Sequence, residues 1–546
     1  MDTQRNNRPE NHPGNTTKQH NRGGFWDRLK SIPTDHLAWL WLLIGFLLIP
    51  FTLVQTVIPP AAWLAPIFML RFARTSPRAR IALPLIFFAY AVAFFLGFRR
   101  SDSSSLVLYI VAILSLLVRV LLYTLPYAAD RLIGPRLPSW AKLFVFPLAF
   151  TTVDWIISLS KIMTSTGSPA YSQYDNLALL QILSITGMWG LTFLIMWGAS
   201  TINALWEHRA DWRRVRAKVI TYAGVLLAII LFGSARLAFT PPASQTVQAA
   251  TITLDNAISA EANSHIDAKF NQSTDTERAA ARPKFEATVD QLLTRTETAL
   301  RGGARIVGWQ EGSALVLEED EPRVLARVAD LAKQYDAYIQ VSLALLTRSQ
   351  SQYFVRNQSI LVDNTGTILW SYDKTYLVFP VESSVMIAGT GKLPVAATPY
   401  GRLSTAICND LHFTSLIRQA GQNHVDILIA PYHSAHPWES EDAVVATYRA
   451  IENGFSLVRP AGTGVSTITD YEGHMLGSQN YFTNTAGIML SSVPTRGATT
   501  IYSRIGDLFA YLCTAGLALL IVWALIRPRP TVASVQVSPE EAEAKD

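Results

Sequence analysis

Cysteine is nearly absent: Cys408 and Cys513 are the only two in 546 residues. A scaffold stapled by disulfides is therefore excluded. Charge is scarce as well. Only 16% of the chain is charged against 49% hydrophobic, which is not the balance of a soluble enzyme. The net charge of +5 is small, and the cations gather in short clusters between apolar runs and not in one stripe, which argues against nucleic acid as a partner. The polar stretch Met1 to Asp35 has no apolar core followed by a small-residue cleavage site, so it is expected to be a disordered tail and not a cleaved signal.

What is present is a series of long apolar runs. Crossing ~30 Å of hydrocarbon takes about 20 helical residues, and eight runs qualify, beginning near Leu37, Pro60, Ile81, Leu106, Lys142, Gln181, Val219 and Ile505. Their connecting loops fix an expected orientation, because Lys and Arg collect on the cytoplasmic side. One set of loops carries Arg71, Arg74, Arg78, Arg80, Arg131, Arg136, Lys142, Arg209, Arg213, Arg214, Arg216 and Lys218; the other carries Arg99, Arg100 and Lys161. Arg527 and Arg529 agree with the first set. The organisation expected is a cytoplasmic tail (1–35), a seven-span membrane domain (36–240), an extracytoplasmic domain (241–500), an eighth span (501–528) and a cytoplasmic tail (529–546). Cys513 then falls inside the last span and Cys408 has no partner in the outer domain.

The outer domain alternates strand and helix. The stretch 248–254 reads as a strand, and Phe285, Val289, Leu292, Leu293 and Leu300 repeat at helical spacing. ARIVGW ends a strand at Trp309; Val324, Leu325, Val328, Leu331 and Ala332 form another helical face. AYIQVSLAL follows, then SILVD and TILWSYD joined by a turn at Asn364, Thr365 and Gly366, then the buried strands LSTAIC and DILIAP and a helix from about Asp442 to Asn453. Helices interleaved with buried strands and added hairpins imply an α/β layered fold. Glu311, Lys374 and Cys408 each stand at or just past a strand end, where such folds gather their reactive groups. Together they supply a thiol, a carboxylate able to take its proton and a cation for an oxyanion, the parts that nucleophilic acyl transfer requires.

Four motifs carry a resemblance. GWQEGS (308–313), SYDKTYLV (371–378), TAICND (405–410) and YRAIENG (448–454) are similar in order and spacing to those of the carbon–nitrogen hydrolase, or nitrilase, superfamily. That resemblance implies an α-β-β-α sandwich with a Glu-Lys-Cys triad, here Glu311, Lys374 and Cys408. Combined with the spans, AYSQYDNLALLQILSITGMWGLTFLI (170–195) and TIYSRIGDLF (500–509) resemble the bacterial apolipoprotein N-acyltransferase family. The implied activity moves a fatty acyl chain from a membrane phospholipid, through a thioester on Cys408, to the α-amine of a lipoprotein's diacylglyceryl-cysteine, at the outer face of the bacterial inner membrane. No cofactor and no metal are implied, and a monomer is expected. The alternative is a membrane-tethered amidase or esterase of the nitrilase class, with water as the acceptor.

Supporting roles follow from the same resemblance. Glu382 matches a glutamate that assists the triad, whereas Asp410 either aids substrate positioning or caps the following helix. Glu452 is expected to be structural. Departures from the family pattern fall at Phe379, Pro380, Val381, Asn409, Thr251 and Thr253, where donor and acceptor would be recognised. Arg119 and Asp154 lie within spans and are functional candidates on that ground; counted along their runs at ~1.5 Å per residue, they fall in opposite halves of the bilayer. His433 and His436 have only Glu439 as a conceivable further ligand, so metal is not expected. The sequons at Asn271 and Asn357 are short patterns and carry no weight.

Overall fold

In the computed structural model of the chain, residues 35–53, 56–98, 106–208, 211–240, 245–266, 270–434, 439–483 and 487–527 are described. The expected tails, apart from Asp35, together with Arg99, Arg100, Arg209 and His436, lie outside the described residues.

The apolar runs form a helical layer: α1 (Ala38–Leu48), α2 (Pro59–Thr75), α3 (Ala79–Phe98), α4 (Leu106–Ile133), α5 (Ser139–Ser158), the short α6 (Leu177–Leu180) and α7 (Leu183–Thr186), α8 (Met188–Glu207) and α9 (Trp212–Phe239). Each of the eight expected spans coincides with a helix. Six of them, α3, α4, α5, α8, α9 and the terminal Leu508–Ile526, are long and apolar enough to cross a membrane. The first two are shorter, with 11 and 17 residues. The sixth expected run is interrupted at Gly187, whose positive φ of 63° breaks the chain between α7 and α8. Large apolar side chains such as Ile220, Leu227, Leu231, Leu519 and Leu525 are exposed on α9 and the terminal helix, as a lipid-facing surface requires.

The domain between α9 and the last span contains β1 (Thr246–Ile252), α10 (Asn256–Asn263), α11 (Asp275–Arg301), β2 (Ile306–Trp309), β3 (Ala314–Leu317), α12 (Glu321–Tyr335), β4 (Tyr338–Leu346), β5 (Val355–Val362), β6 (Ile368–Asp373), β7 (Val395–Thr398) and β8 (Gly401–Thr405). It continues with α13 (Thr414–Gln422), β9 (Ile427–Ile429), β10 (Tyr432–His433), α14 (Glu439–Asn453), β11 (Ser456–Arg459), β12 (Ala461–Gly462), β13 (Val465–Thr469), β14 (Met475–Asn480), β15 (Ile488–Pro494) and α15 (Ile501–Ile505), which leads into α16 (Leu508–Ile526). One sheet runs β15-β1-β2-β4-β5-β6 with β3 beside β4; the other runs β14-β13-β11-β9-β8-β7. Parallel pairing at the centres (β1-β2-β4 and β8-β9-β11) gives way to antiparallel edges.

Both sheet centres are hydrophobic on both faces, as buried parallel strands must be. Val247, Ile306, Leu361 and Trp370 of the first sheet pack against Leu403, Ile427, Ile429 and Val458 of the second. The outer face of the first sheet is covered by Val289 and Leu292 of α11 and Val324 and Val328 of α12. The second is covered by Leu416 and Ile417 of α13 and Ala446 and Ala450 of α14. The result is an α-β-β-α sandwich.

α14 has a second partner. Ala446 and Ala450, four apart, face the sheet, while Val444, Val445, Tyr448 and Ile451 belong to the core of the helical layer. Small residues let the helix sit close to the strands; large ones fill the layer below. Tyr448 donates its hydroxyl to the Ala170 carbonyl at 2.7 Å and meets the Tyr171 ring edge-on at 5.0 Å. One amphipathic helix therefore joins the two cores.

Candidate active site

Cys408 follows β8 and opens a 3-10 turn, Cys408–His412. Its φ is +47°, a left-handed conformation that a non-glycine residue adopts at a cost of about 1–3 kcal/mol. The turn projects the thiol out of the sheet edge. Its backbone N–H donates to the Pro431 carbonyl at 2.9 Å, and the next carbonyl, of Tyr432, accepts from the Glu311 N–H at 3.4 Å. A two-residue stretch thus ties the thiol of one sheet to the carboxylate at the end of β2 in the other.

Lys374 stands one residue past β6, fully buried. Its ammonium is 2.7 Å from Glu311 Oε1 and 2.7 Å from Glu382 Oε1. Burial opposes its charge, but the Glu311 and Glu382 carboxylates beside it hold its pKa well above the ordinary lysine value. Burial pushes the Cys408 thiol well up; Glu311 adds to the rise and Lys374 opposes it. The resting thiol is therefore neutral. Glu311 Oε1 also accepts from Asn357 Nδ2 at 2.8 Å. Glu382 Oε2 accepts from the Val378 N–H at 2.8 Å, which fixes the loop carrying the cis Phe379–Pro380 bond.

Asp410 is both cap and tie. Its Oδ2 accepts from the Ile407 N–H at 3.0 Å, capping the turn, and from the Tyr372 hydroxyl at 2.7 Å. Its Oδ1 accepts from the N–H groups of Thr375 and Tyr376 at 3.1 and 2.8 Å. One carboxylate thereby clamps the lysine loop to the cysteine turn. Asn409 adds a bond from Nδ2 to the Tyr376 carbonyl at 3.1 Å, and the Tyr376 ring stacks on Phe413 at 3.6 Å. Burial raises the Asp410 pKa to about 6 against these donated bonds.

Sequence reasoning missed three residues. Asn357, dismissed as a sequon, is buried with its amide committed to Glu311. Asn271 is buried too, donating to the carbonyls of Ser349 and Ser351 at 3.0 and 2.8 Å. Arg459 ends β11 fully buried with its guanidinium 4.0 Å from the Tyr432 ring centre. It donates to the Val465 carbonyl at 2.6 Å and to Ser434 Oγ at 3.3 Å, its Nε has no partner, and no carboxylate pairs with it among the described residues. Tyr432 in turn meets His412 Nε2 at 3.3 Å. Nothing in the local pattern separated this arginine from an ordinary strand residue.

Arg119 and Asp154 require a correction. They do not lie in opposite halves of the layer: both bind the segment 163–168 between α5 and α6. Arg119 donates to the carbonyls of Met163 and Thr166, and Asp154 Oδ2 accepts from Ser168 Oγ at 2.6 Å and Thr192 Oγ1 at 3.0 Å. Tyr123 links the two sides through Asp154 Oδ1 at 2.9 Å. α4 is 28 residues long, so depth counted from its first residue misplaces Arg119. The same segment reaches the sandwich: Thr166 Oγ1 meets His412 Nδ1 at 3.3 Å and the Gly167 N–H donates to Glu441 Oε1 at 2.5 Å. Glu452 accepts from the Met188 N–H at 2.9 Å and from Arg449 at 3.0 Å, a docking role.

His433 bonds Thr463 Oγ1 at 3.2 Å, and its main-chain oxygen is 3.8 Å from the Cys408 sulfur. Elsewhere Asp470, Glu472 and His474 cluster within metal-ligand reach. There Asp470 Oδ1 accepts two backbone N–H groups of its own turn, and Glu472 Oε1 accepts from Thr240 Oγ1 at 2.6 Å, latching the end of α9 to the β13-β14 hairpin.

Among known proteins, residues 276–505 match the carbon-nitrogen hydrolase family and residues 45–201 match the apolipoprotein N-acyltransferase N-terminal domain. An apolipoprotein N-acyltransferase of Geobacter metallireducens is 25% identical over 412 residues, 70% of this chain and 74% of the relative. One of Bradyrhizobium diazoefficiens is 26% identical over 428 residues, 72% of this chain and 75% of the relative. Among solved structures, an amidase from Nesterenkonia sp. is 18% identical with a TM-score of 0.38, covering 50% of this chain and 98% of its own. The chain thus joins a carbon–nitrogen hydrolase domain to apolar helices long enough to cross a membrane. In both its helical and its sandwich parts it is similar to the apolipoprotein N-acyltransferases.

Proposed function

We propose that the protein is an N-acyltransferase of the inner membrane, carrying an acyl chain from a phospholipid on Cys408 and delivering it to the α-amine of a lipoprotein's diacylglyceryl-cysteine. The observation that carries this reading is the buried Lys374 held 2.7 Å from both Glu311 Oε1 and Glu382 Oε1. Lys374 and Asn357 both occupy Oε1. Oε2 of Glu311 is then the atom that takes the thiol proton as sulfur attacks the ester carbonyl. Lys374 and the Asn409 backbone N–H stabilise the tetrahedral oxyanion. The C–O bond breaks, Glu311 returns the proton to the departing lysophospholipid oxygen, and a thioester remains. In the second half the amine attacks the thioester, Glu311 accepts the ammonium proton, the C–S bond breaks and the proton returns to sulfur. An amide forms and the thiol is regenerated.

Two features support the location. The cation-rich ends of α2, α5 and α9 lie opposite the sandwich, which by the positive-inside tendency favours a sandwich outside the cytoplasm. The sandwich also rests directly on the helical layer through α14, within reach of lipid substrates. We therefore read residues 241–500 as the catalytic domain and Glu311, Lys374 and Cys408 as its triad, with Glu382 and Asp410 positioning them.

The test is intact mass spectrometry of the purified protein after incubation with phospholipid alone. An acyl adduct on Cys408 is expected, and its transfer to a diacylated lipopeptide should follow. Free fatty acid released at the same rate with or without lipopeptide would instead identify a hydrolase. Turnover without any adduct would defeat the thioester.

A further inference from the structure

At the far end of the helical layer from the sandwich lies a cavity of about 250 Å³, lined by Arg74 of α2, the turn before α5 at Gly134, Pro135 and Leu137, Ser139 and Lys142 of α5, Ser200 and Glu207 of α8, His208 and Lys218 of α9. α5 alone, with 20 residues, separates it from the 163–168 segment under the cysteine turn by ~30 Å. The cavity plays no part in the acyl-transfer reading.

Its charges do not balance locally. Arg74 forks onto Asp130 at 2.7 and 2.8 Å and touches Glu207 Oε1 at 3.2 Å. Lys142 takes the other Glu207 oxygen at 2.9 Å. Lys218 pairs with no carboxylate among the described residues; its partner is the Ser139 hydroxyl. Three cations therefore meet two carboxylates. Each ammonium has three N–H donors and one such partner, so donors remain on both lysines.

Two further features point into the same space. The first turn of α5 has no side-chain cap and no acidic residue, so its free N–H groups add partial positive charge. The Ser200 hydroxyl, fully buried and lining the cavity, has no hydrogen-bond partner. A buried hydroxyl without a partner costs free energy unless something fills the site. The space is several times the ~30 Å³ of a water molecule.

We infer that this cavity binds a phosphate group, held by Lys142, Lys218, the Ser200 hydroxyl and the start of α5. The phosphate is either the headgroup of an anionic lipid or a free ion. The surroundings suit a headgroup: Trp39, Trp41, Trp140, Trp206, Trp212 and Trp523 all stand at this end of their helices, where indole rings mark the membrane–water boundary. Basic pockets between helix ends at that level are suited to acidic lipid headgroups.

The test reads the two lysines directly. Full-length protein in neutral detergent is treated with an amine-acylating reagent while titrated with phosphatidylglycerol, inorganic phosphate or diacylglycerol, and modification of each lysine is followed by mass spectrometry. Exposed Lys333, on α12 at the outer face of the sandwich, serves as the internal control. At least fivefold protection of Lys142 and Lys218, with Lys333 unchanged, is expected from a phosphate-bearing probe. Protection by phosphatidylglycerol alone assigns a lipid headgroup; equal protection by inorganic phosphate assigns a free ion. Equal protection by diacylglycerol, or none by either phosphate probe, overturns the inference. Ser200→Ala, a small change that preserves packing, should raise the half-protecting concentration at least threefold. An unchanged midpoint would remove the hydroxyl from the site.

Discussion

Lys374 Nζ lies 2.7 Å from Glu311 Oε1, with the lysine side chain wholly withdrawn from solvent and the glutamate side chain 5% exposed. The two residues follow β2 and β6, which β4 and β5 separate in one sheet, and meet beside the Cys408 turn of the other. Neither charge is tolerable in that position without its partner.

Removing one member should therefore damage stability as well as chemistry. Lys374→Met is expected to destabilise by about 3–5 kcal/mol, because Glu311 and Glu382 are left facing each other without a cation. Glu311→Gln combined with Lys374→Met should recover much of that loss while leaving acyl transfer undetectable. Thermal unfolding in detergent and a transfer assay on the same samples separate the two effects.

Cys408→Ser should keep the fold, since the hydroxyl is of similar size, and abolish the acyl adduct. A loss of transfer of more than about 10³-fold is expected, as for removal of other catalytic nucleophiles. Adduct formation at an unchanged rate would assign the acyl group to another residue.

Asp410→Asn replaces one acceptor oxygen by a donor amide. Four groups donate to this carboxylate: the N–H groups of Ile407, Thr375 and Tyr376 and the Tyr372 hydroxyl. At least one must lose its acceptor, at a cost of about 1–3 kcal/mol. Transfer should fall because the lysine loop and cysteine turn are no longer clamped, and Asp410→Ala should be worse in both measures.

Glu441 carries a pH signature. Burial lifts its pKa to about 7; Asp442 adds to the rise, while the Gly167 N–H and Arg119 oppose it. A raised carboxyl pKa stabilises the fold below the unfolded value and loses that contribution as pH climbs through the folded one. Thermal stability is thus expected to fall between about pH 5 and about pH 8, and Glu441→Gln should reduce the fall. Part of it will persist, because Glu452 and Asp410 are raised in the same direction, to about 7 and about 6.

Arg459 offers a separation of stability from reactivity. A buried guanidinium with no carboxylate in ion-pair contact among the described residues is costly to hold, so Arg459→Met should leave melting temperature unchanged or raise it. The same change removes a cation near the thiol, and iodoacetamide alkylation of Cys408 at alkaline pH should slow. Alkylation at the wild-type rate would show that this charge does not act on the sulfur.

The legible part of the fold was whatever local periodicity encodes. The run from Val324 to Ala332 reads as a helical face because its burial repeats every three to four residues, and α12 covers the first sheet with Val324 and Val328. The turn at Asn364 to Gly366 was readable because Gly366 supplies the positive φ of 81° that joins β5 to β6. Span depth was not readable in the same way. Arg119 and Asp154 look distant when counted along separate helices, yet the 163–168 segment folds back and binds both.

By itself the sequence determined the apolar lengths, the strand and helix periods and the loop charges, since each is a property of neighbouring residues, while its resemblance to a known family singled out Glu311, Lys374, Glu382, Cys408 and Asp410 as candidates. Only the tertiary structure decided that Asn357 serves Glu311, that Arg459 lies buried beside Tyr432, and that α14 divides its faces between two cores. Those relationships depend on residues far apart in the chain coming together when two sheets and a helical layer exclude water, and no local pattern records such a meeting.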